Sequence, residues 1–307
     1  MKSADFQRYR YAFSAMGCPC ELVLEARSEA KALTAARAAD TEVHRLDAKY
    51  SHYRDDSLIG DFARAADAGA TLDVDEETAH LLDFAASLHL QSEGRFDISA
   101  GPLIRLWDPQ RGRVPSDREI EAALAHCGWQ RVSWKRPRLH FSVPGMRLDL
   151  GGVVKEYAAD RAAKICRDHG IAHGVVDLGG DLTLVGPHPD GAPWRVGIKA
   201  PRAPGAAAAE IDLAHGALAT SGDYERVMIV DGRRYSHIVD PRNGVPVESF
   251  ASVSVIADSC LVAGAASTLA MLFGLERGAA WLRELGLPHL TIDAQGHMAG
   301  SIAPALS

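Results

Sequence analysis

The sequence has no pair of cysteines spaced as CxxC. Its five cysteines, Cys18, Cys20, Cys127, Cys166 and Cys260, are odd in number and irregular in spacing, which gives no support to a zinc ribbon or a thioredoxin-type motif. Cys18 and Cys20 would point the same way on a strand, and such a pair makes a poor metal site, so the thiols are read as reduced. No apolar run approaches the roughly 20 residues of a membrane span. The opening MKSADFQRYRYAFSAMG is polar and aromatic and lacks the apolar segment of about 7–15 residues that marks a secretory leader. No membrane partner and a cytoplasmic location are therefore expected. Positive charge is also short: 33 Lys and Arg stand against 40 Asp and Glu, for a net charge of −7, so no nucleic-acid footprint is expected. No GxGxxG follows a strand, which argues against a parallel dinucleotide fold. Low-complexity segments, short repeats and clear linkers are missing too. The one loose stretch, Pro201–Ala209, reads as a surface loop inside a single domain, 1–307.

What is present is ordinary globular material, with 47% hydrophobic and 24% charged residues in 307, enough to bury a core. Helical spacing of apolar residues predicts helices over Ala30–Tyr50 and Asp75–Leu90. Ser116 and Glu119 form a capping box for a helix ended by Gly128. Further helices are expected over Val153–His169, Cys260–Phe273 and Glu276–Leu285. Alternation predicts strands at Cys20–Glu25, Arg131–Trp134, Leu139–Ser142 and Met146–Leu150. A strand-rich second half follows: Gly174–Leu178, Leu182–Val185, Trp194–Lys199, Glu210–Leu213, Arg226–Val230, Tyr235–Val239, Ala251–Ala257 and Leu290–Asp293. Asp231-Gly232 is a hairpin signal. Hairpins outnumber βαβ units, so the fold class is α+β with mostly antiparallel sheets.

Four stretches carry candidate chemistry. In Asp149-Leu-Gly-Gly152-Val-Val-Lys155 a strand ends on an acid, two glycines admit a ligand to the backbone, and a helix begins. The free N–H groups there, with Lys155, suit a phosphate; a tight turn with a capping carboxylate accounts for the same residues. In Tyr235-Ser-His237-Ile-Val-Asp240-Pro241 a histidine near a carboxylate is either a proton acceptor or a half-buried strand residue. Ala219-Thr-Ser221-Gly-Asp-Tyr224, shortly before it, brings hydroxyls to the same place or is a polar turn. Asp177-Leu-Gly179-Gly180-Asp181 is a ligand-contacting turn or a plain hairpin. Phe96-Asp97, followed by Gly101-Pro102 and Trp107, is a further candidate or a simple loop.

In this order and together with Ala15-Met16-Gly17, Tyr53-Arg-Asp-Asp-Ser57 and Ser236-His-Ile-Val-Asp-Pro241, these stretches resemble the ApbE family, the FAD:protein FMN transferases. The resemblance runs from Met16 to about Gly274. It implies two similar halves enclosing FAD, which Met16, Tyr53, Phe96, Asp97, Asp149, Lys155 and Ile238 would contact. It implies His237 as the residue that helps to deprotonate the acceptor hydroxyl, a threonine of a target protein. It also implies Mg²⁺ at the pyrophosphate, held by the carbonyl of Gly152 and two side chains of a late helix. In that helix Thr268 is kept, but the family's Asp is replaced by Gly264, and Glu156 stands where the family often has Gly. Asp258 or Glu156 is expected to stand in as the ligand, and Gly264→Asp is expected to raise Mg²⁺ affinity. FMN transfer with release of AMP is the leading expectation. A non-catalytic FAD-binding protein, or hydrolysis of FAD to FMN and AMP, are the alternatives.

Overall fold

A computed structural model of the chain describes residues 5–203, 205–224 and 227–302. Its centre is an eight-stranded sheet in the order Gln7–Ala15, Cys18–Ala26, His173–Leu178, Asp181–Gly186, Ala217–Gly222, Ser252–Ala257, His289–Ile292 and Met298–Ala299. Every neighbouring pair in it is antiparallel. Helices α1 (Glu29–Tyr50), α2 (Leu58–Ala68), α3 (Glu76–Gln91), α4 (Gly101–Leu106), α5 (Asp117–Leu124), α6 (Gly151–Asp168), α7 (Cys260–Phe273) and α8 (Leu275–Leu285) complete the regular structure with a small three-stranded sheet and three hairpins. This is the mixed, mostly antiparallel architecture expected from the sequence. No helix among the described residues is long and apolar enough to cross a membrane.

Alanine sets the spacing of the helical layer. The buried faces of α1 (Ala32, Ala35, Ala36, Ala39), α6 (Ala158, Ala159, Ala162, Ala163) and α7 (Ala263, Gly264, Ala265, Ala266) each hold a run of small residues, with larger side chains such as Leu46, Tyr50, Leu269 and Met271 buried beyond the runs. Small residues let helix backbones approach, and close packing recovers dispersion energy across the whole contact. These helices share one core with sheet residues such as Leu22, Leu24, Val176, Leu178, Val253 and Val255. The opposite sheet face buries Val23, Val175, Leu184, Leu218 and Leu290 under Trp194, Ile198 and Leu213, which belong to the hairpin of Trp194–Lys199 with Ala207–Leu213.

One end of the sheet collects the candidate residues. The Met16-Gly17 and Gly179-Gly180 turns lie there, and the strand Ala217–Gly222 ends there where Ser252–Ala257 begins. Two long excursions leave from that end: 51–150, between α1 and α6, and 223–251. The first carries Tyr53, Phe96, Asp97 and Asp149, and the second carries His237, Ile238 and Asp240. They are tied together by Trp107, whose Nε1 donates to the Gly244 carbonyl at 2.8 Å and whose ring stacks on Tyr235 with centroids 5.4 Å apart.

Several local expectations are corrected. Met146–Leu150 is not a strand. Met146, Leu148 and Leu150 are buried, so the alternation is real, but the segment makes only an isolated bridge between Ala100 and Arg147. The capped helix at Ser116 forms with its full capping box but stops at Leu124, well before Gly128, whose φ of 119° instead opens a short turn at Trp129. Tyr235–Val239 divides into Arg233–Ser236 and Val239–Asp240. His237 and Ile238 sit between the two pieces, and the Ile238 carbonyl accepts from Val247 N–H, next to the pairing of Val239 with Pro246. Ala219–Gly222 is strand rather than polar turn. Strand Gln7–Ala15 and helices α2 and α4 had no counterpart in the sequence reading, and Arg226 of the expected strand Arg226–Val230 lies outside the described residues.

Candidate active site

The turn into α6 is built as its sequence suggests. The Asp149 carboxylate accepts from the Gly151 N–H at 2.7 Å, so it holds the first N–H of α6 from the residue before the N-cap, Leu150. Its other oxygen is 3.4 Å from His52 Nδ1, and the His52 ring lies 3.9 Å from that of Tyr53. Tyr53 is 75% exposed, an uncommon position for a tyrosine ring with no bound partner. A Cβ at Gly152 would stand 3.2 Å from the Phe96 ring, so glycine here lets that buried ring reach the helix start. Asp97 is more committed. Its carboxylate accepts from Ser99 N–H (2.8 Å), Ser99 Oγ (2.6 Å) and Trp129 N–H (2.8 Å). It also borders an open cleft of about 400 Å³ lined in part by His89, Gly128, Arg131 and Arg242.

Below the turn, Lys155 pairs with Asp181 at 2.5 Å, and the Asp181 side chain is 3% exposed. The second Asp181 oxygen accepts from the Thr220 N–H at 3.1 Å. Asp181 closes the tight hairpin turn Gly179-Gly180, where φ is 69° and 99° and Asp177 accepts from Gly180 N–H at 2.7 Å. A Cβ at Gly179 would strike Cys18 at 2.8 Å, so the two glycines let this turn lie against the strand that follows Met16. Met16 itself has φ 53°, and its N–H donates to Asp47 of α1 at 2.8 Å.

Helices α6 and α7 run antiparallel with matched residues. Asp160 accepts from the N–H groups of Cys260 (2.8 Å) and Leu261 (3.0 Å) and from Thr183 Oγ1 (3.1 Å). One turn back along α6, Glu156 faces Gly264, one turn on along α7: a Cβ at Gly264 would lie 2.5 Å from Glu156 Cγ. Glu156 is 8% exposed, and its Oε2 has no hydrogen-bond partner among the described residues. Burial, and then the nearby Asp181 charge, push its pKa up to about 7. Another turn along α7, Thr268 shares a hydroxyl network with Ser221 (2.9 Å), which also meets Ser267 (2.8 Å). Asp258 is exposed ahead of α7. From Cys260 to Thr268 is already eight residues, about 12 Å of helix, so the fold does not bring Asp258 to Thr268.

His237 is half-buried between its two short strands, and Ile238 packs against the main core. The carboxylate of Asp240 is taken up by Arg242, with Arg242 Nε 2.9 Å from Oδ1 and Nη2 2.5 Å from Oδ2. Burial raises the Asp240 pKa, and the guanidinium outweighs it, leaving the carboxyl below its ordinary value.

The chain as a whole is similar to known proteins. The family model for the ApbE family matches residues 16–291. The chain belongs to the ApbE family. It is 32% identical over 267 residues to an FAD:protein FMN transferase of Vibrio cholerae, covering 84% of this chain and 80% of that one. It is 35% identical over 239 residues to one of Chlamydia pneumoniae, covering 75% and 73%. Among solved structures it resembles the ApbE protein of Thermotoga maritima with a TM-score of 0.87 and 32% identity, over 96% of this chain and 97% of that one. It also resembles the flavin transferase ApbE of Vibrio cholerae, with a TM-score of 0.85 and 28% identity over 97% and 98%.

The α6 turn, the Gly179-Gly180 turn, the Phe96-Asp97 loop and Thr268, all legible in the sequence, lie at this end of the fold. The contacts of His52 and Asp160 and the pairing of Ser221 with Thr268 were not legible. Each of these depends on contacts between segments far apart in the chain, and the sequence carries no spacing that signals them.

Proposed function

We propose that this chain moves FMN from FAD to a threonine hydroxyl of a target flavoprotein and releases AMP. The observation that carries the reading is the match to FAD:protein FMN transferases over most of both chains, together with the convergence of the candidate residues at one end of the sheet. FAD would lie between the main sheet with its helices and the two excursions, in the role of the two halves expected from the sequence. Met16, Tyr53, Phe96 and Ile238 would offer apolar and aromatic surface to the rings. Asp97 would act mainly by holding its loop, because its oxygens are already occupied. Asp149 and the free N–H groups of the α6 start would face the ribose and phosphate side. Lys155 would add positive charge to the pyrophosphate, exchanging part of its contact with Asp181.

The transfer forms a bond from the threonine oxygen to the FMN phosphorus and breaks the pyrophosphate bond, with AMP leaving on the bridging oxygen. His237 would take the hydroxyl proton. Among the described residues no three His, Cys, Asp or Glu side chains form a metal-binding group. Mg²⁺ at a pyrophosphate needs few protein donors, since phosphate oxygens and water supply the rest. The partnerless carboxylate oxygen of Glu156 fits such an ion. Gly152 by its carbonyl and Thr268 by its hydroxyl would help to hold it, and when bound it supplies a charge clamp on the pyrophosphate.

The test is AMP release from FAD with Mg²⁺, followed by chromatography. AMP that appears only with an acceptor protein, and not when its threonine is changed to valine, is the expected result. AMP release at the same rate without acceptor would mean hydrolysis instead. FAD bound with no AMP under any condition would mean a binding protein.

A further inference from the structure

We propose that Glu156 supplies the carboxylate of the divalent-cation site, reaching from α6 into the space that Gly264 leaves on α7. The inference rests on the flavin-transfer reading only in taking the cation to be the one at the substrate pyrophosphate.

An anionic carboxylate withdrawn from water needs a partner, and leaving one unpaired is costly. Two of the three acids around the α6–α7 contact have theirs. Asp181 holds Lys155 and the Thr220 N–H, and Asp160 holds two N–H groups at the start of α7 and the Thr183 hydroxyl of the sheet. Glu156 is buried like Asp181 and more so than Asp160, and its Oε2 has no hydrogen-bond partner among the described residues. With all three acids ionised and Lys155 charged, the group carries a net charge of −2, which a single dication balances.

The seat for Glu156 is built into α7. A Cβ at Gly264 would lie 2.5 Å from Glu156 Cγ, 3.1 Å from Cδ and 3.1 Å from Oε1. No side chain fits at 264 while Glu156 keeps this position. Gly264 and Thr268 are four residues apart on one helix face, where neighbouring side chains stand about 5–6 Å apart. A carboxylate lying against Gly264 is therefore one turn from the Thr268 hydroxyl, close enough for both to serve one ion. Carboxylate and hydroxyl oxygens are the hard donors that Mg²⁺ and Mn²⁺ prefer. Positions 156 and 264 are one place in the fold: α6 brings the carboxylate and α7 leaves it room.

This reverses the expectation that Gly264→Asp alone would strengthen metal binding. The new Cβ would occupy the space of the Glu156 stem, and the new charge would face the old one.

The test is Mn²⁺ binding followed by electron paramagnetic resonance, with and without ADP as a pyrophosphate mimic, and with circular dichroism melts to verify folding. Flavin-fluorescence titration of FAD without metal runs alongside. Wild type is expected to bind Mn²⁺ more tightly with ADP present. Glu156→Gln, nearly the same shape, is expected to bind it at least tenfold more weakly while FAD binding stays within threefold. Gly264→Asp alone is expected to show no gain. The exchange Glu156→Gly/Gly264→Asp is expected to return Mn²⁺ affinity to within threefold of wild type. Unchanged Mn²⁺ affinity in Glu156→Gln would overturn the proposal, as would a tenfold gain in Gly264→Asp alone. Should wild type bind Mn²⁺ through Glu156 yet not bind FAD, the cation site stands and the flavin reading falls.

Discussion

At the scale of single residues, Glu156 has to hold either a proton or a cation. Its charge faces Asp181 and Asp160, Lys155 offsets part of it, and Cys260 adds a buried thiol. With no metal, the pKa near 7 in the folded chain exceeds the ordinary glutamate value of 4.5, so the folded state binds the extra proton. Stability from this group is then fully present below about pH 4.5 and is lost as pH rises through 7, by at most about 3 kcal/mol. Glu156→Gln copies the protonated form. Without metal it should match wild type at pH 5 and melt several degrees higher at pH 8. Equal melting at pH 8 would show that the carboxylate is not buried as described. His237 makes a different prediction. A general base acts on a proton in flight, so His237→Ala should keep FAD affinity within threefold and slow transfer about 10²–10⁴-fold. Single-turnover transfer at the wild-type rate would make it a structural residue. The Gly152 turn was legible in sequence because close approach to backbone has a local signature. The Glu156–Gly264 pairing was not, because the space between two helices leaves no mark in either helix's own spacing.

At the scale of elements, the start of α7 depends on a neighbour. Ser259 caps it in the usual way, accepting from Val262 N–H at 3.3 Å. Asp160 takes two further N–H groups from across the α6–α7 contact. Asp160→Ala leaves those buried donors and Thr183 without an acceptor, so a loss of about 2–3 kcal/mol in urea unfolding is expected. A loss under 0.5 kcal/mol would contradict the packing described here. The long helices α1, α3, α6 and α7 were readable within a residue or two, because their apolar stripes repeat over several turns. Cys260–Phe273 matched its expected bounds. Strand Gln7–Ala15 was missed although it alternates: Tyr9, Tyr11, Phe13 and Ala15 face the core, but the three aromatic residues stay half-buried and arginines flank two of them, so the segment reads as polar. Met146–Leu150 misled for the opposite reason, since its alternation serves burial alone.

At the scale of the whole molecule, the sheet holds one end open and two excursions, 51–150 and 223–251, close over it. Every candidate residue lies on that end of the sheet, on the helix turns beside it or on an excursion, except Asp258, which the fold sets apart. The sequence carried the antiparallel class through its hairpin signals, Asp231-Gly232 among them, where φ is 50° and 76°. It did not carry the order of the strands, which depends on pairings between segments far apart in the chain. This end of the sheet is where FMN transfer to protein is proposed to occur. The most direct measurement is the intact mass of an acceptor flavoprotein after incubation with this chain, FAD and Mg²⁺. The account predicts a gain of one FMN less water on the acceptor threonine, absent with the threonine-to-valine acceptor and nearly absent with His237→Ala. An unchanged acceptor mass, with FAD bound and the wild-type chain folded, would contradict it.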